Sequence, residues 1–150
     1  MSKTRKGPPP PSNADDGTWQ GRSIARRFVS EDGMIVLVGR TAADNDVLSI
    51  KLSSPRDFWL HIASGPGSHV VVRNPENLPR MPRATQQLAA SLAVRYSKAK
   101  DGGRAAVHVT RCDEVRKPRG YAPGKVTLGR YSTVQAAPYR GGEDEAEDDS

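Results

Sequence analysis

Two β-rich runs, residues 57–63 (Asp-Phe-Trp-Leu-His-Ile-Ala) and 69–73 (His-Val-Val-Val-Arg), are separated by Gly65-Pro66-Gly67-Ser68. A glycine- and proline-rich break between two extended segments turns the chain back on itself, so the runs are expected as strands joined by a tight turn at the centre of the fold.

The rest of the chain supplies partners for that pair. Residues 27–30 and 34–39 are β-rich and are separated by Glu31-Asp32-Gly33, where Gly33 can take the positive φ of a hairpin turn. Thr41 can cap a short helix over residues 46–52, which Pro55 stops. Pro75, Pro79 and Pro82 prohibit regular structure until Arg83, after which Ala84, Leu88, Leu92 and Tyr96 recur at intervals of four. The spacing predicts a principal helix over residues 83–100, ending at Gly102-Gly103. Residues 106–110 and 125–129 read as strands joined by a loop at 117–124, and residues 132–136 as an edge strand. The order β-β-α-β-β-α-β-β-β is that of a single α+β domain: a mixed β-sheet with one long and one short helix.

A chain of 150 residues has room for one such core, but only 35% of its residues are apolar, so part of it lies outside any packed unit. Residues 1–21, with Pro8 to Pro11 in a row among Lys3, Arg5 and Lys6, are expected as a disordered basic arm. Residues 139–150 end in a run of like charges and are expected as a disordered acidic tail, leaving a domain over 22–138. The tail holds six of the 17 acids, so residues 1–142 set 23 cations against 11 acids, a net +12. A surplus of that size on a small domain points to a polyanionic partner, nucleic acid before membrane.

Cys112 is the only cysteine, which rules out an internal disulfide and fits a reducing, cytoplasmic setting. No stretch approaches the roughly 18 apolar residues of a membrane span, and the N-terminus lacks the apolar core of a signal peptide.

Three constellations could carry chemistry. Around the 65–68 turn, Asp57, Trp59 and His61 share a strand face by the period of two, and Ser68 and His69 follow glycines whose amides could cradle a phosphate. Against this stands packing of Trp59 in a core, with the histidines bonded to nearby carbonyls. His61, His69 and His108 could also converge with Asp57 on a metal, although neither an H-x-x-x-H helix nor paired cysteines support one. Ser68 beside His69 is adjacency and not a nucleophile with an oriented base, and Asp113 and Glu114 beside Cys112 oppose a reactive thiolate. The second constellation is Arg116, Lys117, Arg119 and Lys125 on a proline-stiffened loop, with Tyr121 available to stack on a base. The third is Arg95, Lys98 and Lys100 with Tyr96 at the end of the main helix, where cations also suit the helix dipole.

Taken in order, Arg27-Phe28-x-Ser30-x-Asp32-Gly33, Val38-Gly39-Arg40, Asn45-Asp46, Asp57-x-Trp59-x-His61, Pro66-Gly67-Ser68-His69-Val70, Tyr96-Ser97-x-Ala99-Lys100, Val115-x-Lys117-Pro118 and Pro123-Gly124-x-Val126 resemble the NFACT-R domain, the C-terminal RNA-binding module of ribosome quality control proteins of the RqcH and NEMF kind. The resemblance runs from about Arg26 to Gln135. It implies a non-catalytic module without cofactor or metal, binding ribosomal RNA or tRNA. The RNA contacts expected on this basis are Arg40, Asn45, Asp57, Trp59, His61, Ser68, His69, Tyr96, Lys98, Lys100, Arg116, Lys117, Arg119 and Lys125. The family's N-terminal glycosylase-like domain, helix-hairpin-helix part and coiled coil have no counterpart here, so C-terminal tailing is not expected to carry over. Duplex DNA binding by the same cations, and a small hydrolase or metal enzyme at the His61/His69 turn, are the competing readings.

Overall fold

The structure is a computed structural model that describes residues 7–141. A 3-10 turn at Ala14–Asp16 leads into a small hairpin of β1 (Thr18–Trp19) and β2 (Arg22–Ser23). Strands β3 (Ala25–Val29) and β4 (Ile35–Gly39) form the predicted hairpin, with Gly33 at φ +81° in the turn. Helix α1 (Ala42–Asp46) begins at Thr41, whose hydroxyl accepts from the Asp44 amide, and continues as a π-helical turn over Val47–Leu52. Strands β5 (Phe58–Ile62) and β6 (Val70–Val72) follow, then helix α2 (Arg83–Arg95) and β7 (Ala105–Arg111). The chain closes with β8 (Val115–Arg116), β9 (Thr127–Leu128) and β10 (Ser132–Ala136).

Six strands make one sheet in the order β10-β7-β5-β6-β4-β3, every neighbouring pair antiparallel. The central strands are apolar on both faces because both faces are covered. Val36, Val38, Phe58, Leu60, Ile62, Val70 and Val72 point to one side, where Ala89, Ala90, Leu92, Ala93 and Val94 of α2 seal them. Leu37, Trp59 and Val71 point to the other, under Ile24, Leu48, Cys112 and Val115. The period of two thus sends alternate residues of one strand into two separate cores. The α+β class holds, with one long helix and one short.

Four expectations change. Helix α2 stops at Arg95 and not at residue 100, because residues 96–98 leave the helix to pair with the 66–68 turn: the Ser68 amide donates to Tyr96 O and the Lys98 amide to Pro66 O. The strand expected over 125–129 shrinks to β9, which pairs with β8 outside the main sheet. The arm expected to be disordered through residue 21 is structured from Asn13, whose side chain caps the 3-10 turn. There the Asp15 carboxylate lies 3.0 Å from Arg73 Nε, and Trp19 packs against the second core. At the other end Tyr139, expected in the tail, meets Phe28 edge-on and donates its amide to Ser91 O. Residues 1–6 of the expected arm and 142–150 of the expected tail lie outside the described residues.

Candidate functional site

Ser49 has no sequence signal of its own, yet it organises the 65–69 region. It lies on the π-helical turn and receives the Trp59 indole N–H at 2.9 Å, while its hydroxyl stands 2.7 Å from His69 Nδ1. On the far side of the imidazole, Nε2 is 3.0 Å from Gly124 O. A carbonyl can only accept, so Nε2 carries the proton and Nδ1 accepts from Ser49. The neutral ring is therefore fully bonded. Burial, followed by the nearby His61, drives its pKa down to about 4. His69 is thus a structural link between the sheet and the 117–124 loop, and neither of its nitrogens is available to an anion or a metal.

Several other expected contacts are also occupied internally. Asp57, 1% exposed, accepts from the Arg73 guanidinium, the Ser54 amide and the Asn74 amide. Trp59 is 2% exposed and fills the second core. Asn45 is buried, donating to Gly67 O and accepting from the His69 amide. The Ser68 hydroxyl donates to Gly39 O, and the Ser68 amide is the one bonded to Tyr96, so that amide is not free to cradle a phosphate. Gly67 serves close packing instead: a Cβ there would lie 2.7 Å from Ser97 Cβ. On the loop, Lys117 donates to Ala122 O and Lys125 O and pairs with Asp46, and Arg116 turns back onto the Asp113 carbonyl. Arg119 and Lys125 stand exposed.

What remains forms two grooves that share a wall of Ala42, Asn45, Pro66 and Gly67. The first, about 840 Å³, gathers Arg26, Arg40, Arg95, Lys98 and Lys100 around Tyr96 and contains no acidic residue among its lining side chains. Its cations come from β3, the end of β4 and the end of α2, brought together by the 66–68/96–98 pairing. The Arg26 and Arg95 guanidiniums lie 4.7 and 5.2 Å from the Tyr96 ring centroid, an arrangement that preorders both. Arg26 carries no signal of this role in the sequence, because its strand lies far from α2 along the chain.

The second groove, about 680 Å³, is lined by His61, His108, Tyr131, Lys125, Val126 and the edge of Trp59. His61 and His108 are direct cross-strand partners on β5 and β7. His61 stacks on Trp59, with ring centroids 5.9 Å apart, and His108 lies 4.3 Å from Tyr131. Burial, opposed by backbone carbonyl contacts, lowers the His61 pKa, so the ring is neutral at pH 7. His61 adjoins both His69 and His108, but both nitrogens of His69 are bonded within the fold and Asp57 is committed to Arg73. Among the described residues no group of three or more His, Cys, Asp or Glu side chains is placed to hold a metal. Cys112 is buried and its thiol is pushed up to about 12, chiefly by desolvation, so it is not a nucleophile at neutral pH.

Fold and site together define a small α+β domain, its sheet covered on both faces, that presents a cationic groove beside an aromatic one. The NFACT protein RNA binding domain family matches residues 25–129, and the chain belongs to that family. The Rqc2 homolog RqcH of Bacillus subtilis is 36% identical over 115 residues, 77% of this chain and 20% of that protein. Ribosome quality control complex subunit 2 of Schizosaccharomyces pombe is 34% identical over 91 residues, 60% of this chain and 9% of that protein. The solved C-terminal part of the fibronectin/fibrinogen-binding protein from Streptococcus suis superposes with a TM-score of 0.73 at 31% identity, covering 82% of this chain and 47% of that one. The chain spans about a fifth of the length of the bacterial curated relatives it matches.

Proposed function

We propose that the chain is a non-catalytic RNA-binding module that acts in ribosome quality control or translation, with ribosomal RNA or tRNA as its ligand. The observation that carries this reading is the cationic groove: Arg26, Arg40, Arg95, Lys98 and Lys100 line one concave surface without a carboxylate among them. A concave surface with that concentration of positive charge attracts a polyanion. Family membership supports RNA as that polyanion, and the ribosome quality control names of the relatives support a ribosomal setting. No helix among the described residues is long and apolar enough to cross a membrane. The ribosome quality control names of the relatives support a cytoplasmic setting.

The test is a salt titration of RNA binding by the full chain and by an Arg40→Gln/Lys98→Gln/Lys100→Gln variant. Removing one phosphate interaction on a single strand lowers the slope of log affinity against log salt by roughly 0.7, so the slope of the variant is expected to fall by up to roughly 2 units. Equal affinity for an RNA and its deoxy counterpart would count against RNA as the ligand.

A further inference from the structure

The aromatic groove shares a wall with the cationic one and differs from it in chemistry. Its walls are the neutral imidazole of His61, the His108–Tyr131 pair and the apolar side chain of Val126, with Lys125 beside them. A phosphate has little to gain from the His61 and Tyr131 rings, whereas the flat face of a base stacks on them. Tyr131 is 52% exposed, and its hydroxyphenyl ring has no core to fill. The volume of about 680 Å³ falls within the range of clefts that hold small ligands.

We infer that this groove takes an unpaired base of the same RNA strand whose phosphates lie in the cationic groove, with Tyr131 as the stacking residue and the Pro66–Gly67 wall crossed by the intervening sugar. This rests on the RNA reading above and makes it narrower: the ligand is single-stranded at the site. Two features of the structure favour a base within a chain as the occupant. The groove is continuous with five cations suited to a backbone, and it holds a stacking face next to them. A paired base cannot enter, because its faces are already stacked on its neighbours.

The experiment measures binding of the full chain to a short single-stranded RNA, an abasic strand of equal length and charge, the same sequence as a duplex, and a nucleoside monophosphate. The single strand is expected to bind more tightly than the abasic strand or the duplex. Tyr131→Ala is expected to weaken single-strand binding by roughly five- to 150-fold per stacked base, to leave the salt slope unchanged, and to bring the single strand level with the abasic one. Tyr131→Phe, which keeps the ring, is expected to retain the preference. If Tyr131→Ala leaves the single-strand preference intact while the Arg40/Lys98/Lys100 variant still shows a reduced slope, the base site is overturned and the RNA reading survives. If the monophosphate competes as well as the strand does, the groove belongs to a free nucleotide and the inference also falls. If neither the single strand nor the duplex binds at low salt, the RNA reading itself fails.

Discussion

The ammonium of Lys117 lies 3.1 Å from the Asp46 carboxylate and donates to the carbonyls of Ala122 and Lys125. Asp46 in turn accepts from the Gly124 amide, and Gly124 O accepts from His69. One lysine therefore closes the 117–124 loop onto helix α1. Lys117→Gln is expected to destabilise the fold by about 1–2 kcal/mol and to leave the salt slope of RNA binding unchanged. Denaturant melts and a salt titration of the same variant separate the two effects. A reduced slope with unchanged stability would make Lys117 a phosphate contact after all.

Asp57 is expected to behave as a buried structural anchor. Asp57→Ala leaves the Arg73 guanidinium, which is 19% exposed, with the exposed Asp15 carboxylate in place of a buried partner, and leaves the Ser54 and Asn74 amides without the oxygen they donate to. Breaking a buried pair from one side costs about 3–5 kcal/mol. A urea midpoint within experimental error of the parent would refute this placement of Asp57 in the folding energetics.

Stability is expected to fall on mild acidification. His69 titrates near 4 in the fold against 6.5 when exposed, and His61 is shifted in the same direction. Between those values the unfolded chain holds a proton that the folded chain does not, so stability is complete above pH 6.5 and declines as pH falls toward 4. For His69 the loss reaches about 3 kcal/mol at the acid end. A His69→Gln variant should show a flatter profile from about pH 6.5 down to about 5, where few carboxylates titrate. A parent protein whose melting midpoint is level across that window would contradict the burial argument.

The segment before β3 is expected to contribute to folding. Trp19→Ala should lower stability by about 2 kcal/mol, less than for a fully buried tryptophan because the ring is only half-buried. A chain starting at residue 22, which also lacks the Asp15–Arg73 pair, should be destabilised at least as much. Thermal melts that coincide with the full chain would restore the boundary at residue 22 that composition suggests.

Much of the fold was legible because it is local. The Gly33 hairpin, the Thr41 cap, the strand–turn–strand at 57–73 and the apolar register of α2 each depend on residues within a few positions of one another, where propensity and period act directly. The end of α2 was not, since its helical spacing continues to Tyr96 and only the carbonyl and amide of the 66–68 turn draw residues 96–98 away. Composition misread residues 13–21 for a similar reason: polar residues order when Arg27 and Arg73, far along the chain, supply partners for Asp15.

For the site, the sequence by itself determined the chemical inventory: a cationic surplus, a cluster of rings around one glycine turn, and an order of motifs that resembles one family. Only the tertiary structure decided which members of that inventory face solvent. Asp57, Trp59 and His69 share their segment with His61, yet burial and hydrogen bonding commit the first three to the core and leave His61 at a groove wall. Likewise Arg26, Arg40 and Lys98 meet only because β3, β4 and the end of α2 are folded against one turn. Side-chain type is written locally, but exposure and juxtaposition are set by interactions between residues far apart in sequence, which no local pattern encodes.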